Sequence, residues 1–282
     1  MASPAAKLRD EAVTPAPGPA RPRFALPRSV NLPGIAFAVV LVAAWQAAVS
    51  SGLVEVDFLP APSEVARAWS EQLSSGQLVP DFLHTLSSAL LGWAVGGLLG
   101  IVLGTALGLS ARTWQFGMST VEFLRAVPAI CFVPVAAILL GFSLEMELLV
   151  TSYAALWPTL VNTAEGIRST DGLLRDTGRT LHLSRLRQAV SIALPSAGAS
   201  ILVGLRLSLA LSLMLAVVAE MVGNPAGMGY QLVMQQQALQ TAAMFAYIVT
   251  IGVLGVALNA AFTGLVRLLL PGIMASLRED DR

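Results

Sequence analysis

Apolar runs alternate with short polar stretches along this chain: about Leu32–Val49, Leu83–Leu109, Met118–Leu140, Leu144–Ala164, Leu194–Val222 and Ala242–Leu270. A helix needs roughly 20 apolar residues to cross a hydrocarbon core of about 30 Å. The runs approach or exceed that length, so the pattern predicts an all-α polytopic membrane protein with six transmembrane helices over residues 31–272. Residues 1–30, rich in Pro, Ala and Arg without an apolar period, read as a disordered tail, and 273–282 as a short second tail. The first run follows a leader too long for a secretory signal, so a retained first helix is expected. Within the second run Gly92, Gly96, Gly97, Gly100, Gly104 and Gly108 recur at helical spacing. They fit a close helix-packing face, or simply the glycine-rich composition of membrane helices.

The polar stretches differ in charge. The N-terminal tail holds Lys7, Arg9, Arg21, Arg23 and Arg28, the loop after the second run holds Arg112, and the C-terminus holds Arg278 and Arg282. The long loop between the fourth and fifth runs carries Arg168, Arg175, Arg179, Arg185 and Arg187. The intervening connections are acidic or uncharged. Residues 50–82 carry Arg67 against Glu55, Asp57, Glu64, Glu71 and Asp81, and the turn at Gly141 and the stretch Gly223–Thr241 have no Lys or Arg. Positively charged loops stay in the cytoplasm, so both termini and the long loop are expected there. The long loop also keeps Leu173, Leu174, Leu181, Leu183, Leu186 and Val190, more apolar residues than disorder requires. It reads as an element built to touch a partner.

Composition narrows the function. The chain is 55% hydrophobic and 12% charged, with a mean hydropathy of +0.72, which excludes an ordinary soluble enzyme. A net charge of +0 gives no reason to expect nucleic acid. Cys131 is the single cysteine, so neither a disulfide framework nor a C-x-x-C pair exists. His84 and His182 stand far apart in sequence, which gives no metal site by spacing, and no nucleophile is set beside a base. The sequence has no G-x-x-x-x-G-K-[ST] phosphate loop. The chain is therefore expected to be no enzyme and to hold no cofactor; ATP and magnesium would belong to a partner.

Several polar residues fall inside or beside the runs. Glu122, Arg125, Asn162, Glu165, Arg206 and Asn259 lie in or at the ends of apolar segments. The charged ones cluster toward the cytoplasmic ends, where snorkelling and mutual pairing lower the cost of an ionisable group in lipid. Glu220 differs, lying at the outer end of the fifth run before Gly223, Asn224, Pro225, Gly227 and Gly229. That sequence breaks a helix, and Glu220 reads equally as a structural or a functional residue. Pro128, Pro134 and Pro158 are expected to kink their helices.

Four stretches together resemble one family, the permease subunits of ATP-binding-cassette importers of the nitrate, sulfonate and taurine type. Phe58–Trp69 (FLPAPSEVARAW) is similar to its proline-bearing lead-in helix, and Phe123–Phe142 to its Arg-x-x-Pro segment. Ile201–Met221 resembles its Gly-Leu-Arg to Ala-Glu-Met pattern, with Gly227–Tyr230 (GMGY) at its glycine-rich turn. The family carries a cytoplasmic coupling motif, Glu-Ala-Ala, three residues, Gly, nine residues, Ile-x-Leu-Pro. Its ending matches Ile192–Pro195, which sets Asp176, Thr177 and Gly178 at the Glu-Ala-Ala positions and His182 at the glycine.

The resemblance implies a type I importer permease of a bacterial inner membrane. Its partners would be two ATPase subunits, a second permease copy, an extracytoplasmic solute-binding protein and membrane lipid. The loop 166–193 would receive the ATPase through a short helix from about Gly172 to Leu181. Leu173, Leu174, Thr177 and Leu181 share one stripe of it and Asp176 lies in its middle. The pathway would involve Glu220, Met221, Asn224, Arg125 and Pro128. A secondary transporter would want ionisable groups at mid-membrane and repeated halves, and a non-transporting scaffold would need neither; both remain as alternatives.

Overall fold

The computed structural model describes residues 32–53, 58–170, 172 and 180–270, without the side chains of Leu32 and Arg185. Both expected tails, and Leu173, Leu174, Asp176, Thr177 and Gly178 of the loop, lie outside the described residues. The chain divides into two units, Met1–Ala44 and Trp45–Arg282. Helix α1, Leu32–Ser50, runs through the boundary between them. Among the described residues every regular element is helical.

Four helices among the described residues are long and apolar enough to cross a membrane by themselves: α1, α3 (Leu78–Gly108), α7 (Gly198–Met221) and α9 (Thr241–Leu269). The third apolar run forms a bent pair instead of one helix. Helix α4 spans Ala111–Ala126 and α5 spans Phe132–Leu140, joined through a 3₁₀ turn at Ala129–Cys131 with a bend of 66°. The cause is local. Proline excludes the helical region for the residue before it, and Val127, before Pro128, is extended at φ −74°, ψ 119°. Pro134, expected to kink, falls in the first turn of α5, where its missing N–H costs no helical bond. Pro158 is carried inside a continuous α6.

Helix α6, Leu144–Arg168, occupies the fourth run and is too polar to qualify as a crossing alone. Its polarity is turned inward. Thr151, Thr159 and Thr163 are fully buried, and their hydroxyls donate to Glu147 O, Ala155 O and Thr159 O at 2.7, 3.1 and 2.6 Å. The helix satisfies its own hydroxyls and can sit between α3 and α7. The glycines of α3 make that possible: all six are buried. A Cβ on Gly100 would stand 2.7 Å from Thr159 Cβ and 2.8 Å from Leu156 O, too close for any side chain. The stripe is therefore a packing face, as the spacing allowed.

Two smaller elements finish the frame. Helix α2, Pro62–Ser74, begins with Pro62 at its first position, and Glu64 Oε2 accepts from Ala61 N–H at 2.9 Å. It buries Val65 and Ala68 against Ala243 and Ala246 of α9, and Trp69 Nε1 donates to Thr250 Oγ1 at 3.2 Å. Helix α8, Met228–Gln237, follows the glycine-rich turn. The fifth run departs from expectation at its start. Arg185–Gln188 is a helical turn, Ala189–Ala193 winds as a π-helix, Leu194–Ser196 is one further turn, and α7 begins only at Gly198. Leu194 N–H bonds Ala189 O, five residues back, immediately before Pro195, which has no N–H to offer.

Candidate functional site

Three helix ends that the arginine pattern assigns to the outer side meet at one place: the start of α3, the start of α6 and the end of α7. Glu220, in the last turn of α7, is fully buried. Its Oε2 accepts from Thr85 Oγ1 at 3.0 Å and from Gly229 N–H at 2.8 Å, while Met228 N–H donates to Thr85 Oγ1 at 2.9 Å. The carboxylate thus staples the turn after α7 back onto α3. Gly227 permits this by taking φ +89°, and a Cβ there would run into the Glu220 carboxylate. A glycine-rich turn beside a buried acid is what that approach requires.

Next to this staple lies a group the sequence did not bring together. His84 Nε2 is 3.1 Å from Glu147 Oε1, and Asn224 Nδ2 donates to the same oxygen. Glu147 is fully buried and Asn224 nearly so. The expectation that His84 stands alone is corrected: one donor atom each of His84, Glu147 and Glu220 lie within 4.8 Å of one another. The residues are 63 and 140 positions apart for the His84–Glu147 and His84–Asn224 pairs, so no short motif announces them. Tyr247 OH donates to Asp81 Oδ2 at 3.1 Å, which ties α9 to the first turn of α3 beside the group.

The five residues expected on a pathway fall into separate places. Glu220 and Asn224 share the buried group, whereas Met221 is turned outward at the end of α7. Arg125 and Pro128 lie at the α4–α5 break, on a cleft of ≈ 840 Å³ walled also by Tyr153, Trp157, Asn162 and Met214. Tyr153 OH donates to Leu124 O at 2.8 Å and fastens the end of α4 to α6. Tyr153 and Trp157 pack edge to face at 5.3 Å, giving the cleft an aromatic wall. The mutual pairing expected of the charged residues takes another form for Arg206, whose Nε donates to Asn259 Oδ1 at 2.8 Å. Arg168 lies over Trp114 at 4.6 Å, a cation–π contact.

Of the seven residues expected to contact the ATPase, Leu181 and His182 are described. Leu181 is 65% exposed, and His182 takes φ +52°. The histidine therefore adopts the left-handed backbone at the position where the coupling motif has glycine. For a residue with a Cβ this conformation costs about 1 kcal/mol. His182→Gly is expected to be more stable than His182→Ala by about that amount, both variants lacking the imidazole, in thermal unfolding of the detergent-solubilised chain; equal midpoints for the two would refute the strain.

Fold and sites together define a multi-pass membrane protein with a solute-sized cleft beside a broken helix. Residues 96–275 match the family described as the binding-protein-dependent transport system inner membrane component, and the chain belongs to that family. It is 32% identical over 88% of its length to a protein of Bacillus subtilis named as an aliphatic sulfonates transport permease, SsuC, covering 88% of that protein. The protein of the same name in Escherichia coli is 31% identical over 77% of this chain and 82% of its own length. Among solved structures, an inward-facing MetNI methionine ABC transporter shares the fold at a TM-score of 0.59 and 16% identity, over 68% of this chain and 95% of that one. The chain is thus an inner-membrane permease component of an ABC importer, and that class works with an ATPase and a binding protein.

Proposed function

We propose that this permease imports a small organic anion of the sulfonate class, paired with a second copy of itself and driven through the loop 166–193. One observation carries the coupling. Helices α6 and α7, which the loop joins, are also two walls of the ≈ 840 Å³ cleft, through Tyr153, Trp157 and Asn162 on one side and Leu207, Leu211 and Met214 on the other. A rigid element pushed by an ATPase at that loop moves both walls together, and the bent α4–α5 pair gives them a partner that is already hinged. The sulfonate class is supported by the names of the two Bacillus and Escherichia relatives, and Arg125 on the cleft supplies a guanidinium suited to such a group. The exposed apolar residues of the α4–α5 pair, Ile130, which lines the cleft, with Val135 and Ile138, suit a second copy across the pathway. ATP and magnesium would be bound by the ATPase.

The test is uptake of a radiolabelled alkanesulfonate by proteoliposomes holding the permease, its ATPase and its solute-binding protein. Uptake should require all three and ATP. Uptake by the permease alone under a proton or sodium gradient would replace this reading with a secondary transporter, and solute-independent ATP turnover with no uptake would replace it with a scaffold.

A further inference from the structure

The group at the outer helix ends offers more than a structural staple requires. The Glu220 carboxylate is held by Thr85 and Gly229 through Oε2 alone, and its Oε1 is buried without a hydrogen-bond partner. Glu147 repeats the arrangement: Oε1 faces His84 and Asn224, while Oε2 is buried and unpartnered. A buried carboxylate oxygen left without a partner costs free energy, and the two carboxylates that carry such oxygens belong to one group with an imidazole. We propose that His84, Glu147 and Glu220 form a site for a divalent cation of the zinc class.

The donor set selects the ion. One imidazole nitrogen with two carboxylates suits zinc and its first-row neighbours, whereas calcium and magnesium prefer oxygen alone. The three donor atoms lie within 4.8 Å of one another, so small side-chain shifts bring them to the roughly 2.0–2.2 Å bonds of a zinc ion. A divalent charge would offset the two carboxylates where water does not reach them. The hydrogen bonds from Thr85 and Gly229 already orient Glu220, as outer partners of metal-bound carboxylates do. An ion would enter from the side of His84, whose side chain is 25% exposed while both glutamates are covered. The ion would tie α3, α6 and α7 together at one end, so its occupancy would stiffen that end of the bundle. The inference does not depend on which solute is carried or on the ATPase.

The experiment is equilibrium dialysis of the full-length chain in lipid nanodiscs against buffered zinc, with metal counted by mass spectrometry. About one zinc per chain is expected for the unaltered protein, with affinity falling at least tenfold in His84→Ala and in Glu147→Gln. His182→Ala, which alters the other histidine, should leave binding unchanged. Zinc binding that is absent, or that is lost equally in His182→Ala, would overturn the site. Should the two ligand variants fail to insert, cobalt loaded into the unaltered protein decides: intense visible bands of a four- or five-coordinate ion support the site, and the weak bands of an octahedral aqua ion refute it.

Discussion

Gly227→Val is expected to abolish the folded permease. Position 227 takes φ +89°, a region that a β-branched residue enters only at a cost of about 3 kcal/mol. The added side chain would also strike the Glu220 carboxylate. Relieving that clash means moving Glu220 off Thr85 Oγ1 and Gly229 N–H, which strands a buried carboxylate and a buried amide, at about 1–3 kcal/mol or more for each. Either loss alone is a large share of the stability of a typical domain, about 5–15 kcal/mol. Gly252→Ala is the matched control, since a Cβ on Gly252 has nothing within 4 Å and the position lies mid-helix in α9. Its stability should be equal or slightly raised, by up to about 1 kcal/mol. Thermal aggregation and size-exclusion profiles of the two variants, expressed in parallel, measure the difference; comparable profiles would mean that the turn does not depend on Gly227.

That contrast shows what a sequence can and cannot carry. The apolar runs, their alternating charge and the glycine face of α3 are legible because each is a periodic or summed property of many residues. Gly227 and Gly229 were visible as a helix-breaking stretch, but the reason for them, a buried acid fixed to Thr85, needs a residue 135 positions away. The break between α4 and α5 had a visible cause in Pro128, yet the apolar run continues through it, so composition alone reads one helix. The late start of α7 has the same origin, because Leu194–Ala197 is apolar enough to extend the run while Pro195 interrupts its hydrogen bonding. The inward polarity of α6 is not legible in an apolar run, since burial between two neighbours leaves no period in the sequence. His84 and Glu147 were the least visible. A single polar residue near a helix end looks the same whether it snorkels to water or faces another helix, and only the packing of α3 on α6 distinguishes the two.

Leu181→Arg is expected to cut ATP-driven uptake at least tenfold while leaving the permease as stable as before. Leu181 is 65% exposed, so replacing it removes little packing within this chain. A leucine that inserts into an apolar pocket on a partner contributes about 2 kcal/mol by burial, and an arginine in its place adds the cost of desolvating a charge. At 1.4 kcal/mol per factor of ten, the lost burial alone weakens docking about thirtyfold. The separation of outcomes is what makes the variant informative. Lost uptake and lost co-purification of the ATPase, with an unchanged melting profile, mean that this loop docks the motor. Lost uptake with a lowered melting profile would instead assign Leu181 to the fold. Full uptake with the ATPase still bound would remove the loop from the docking surface and leave the cleft without the drive proposed for α6 and α7.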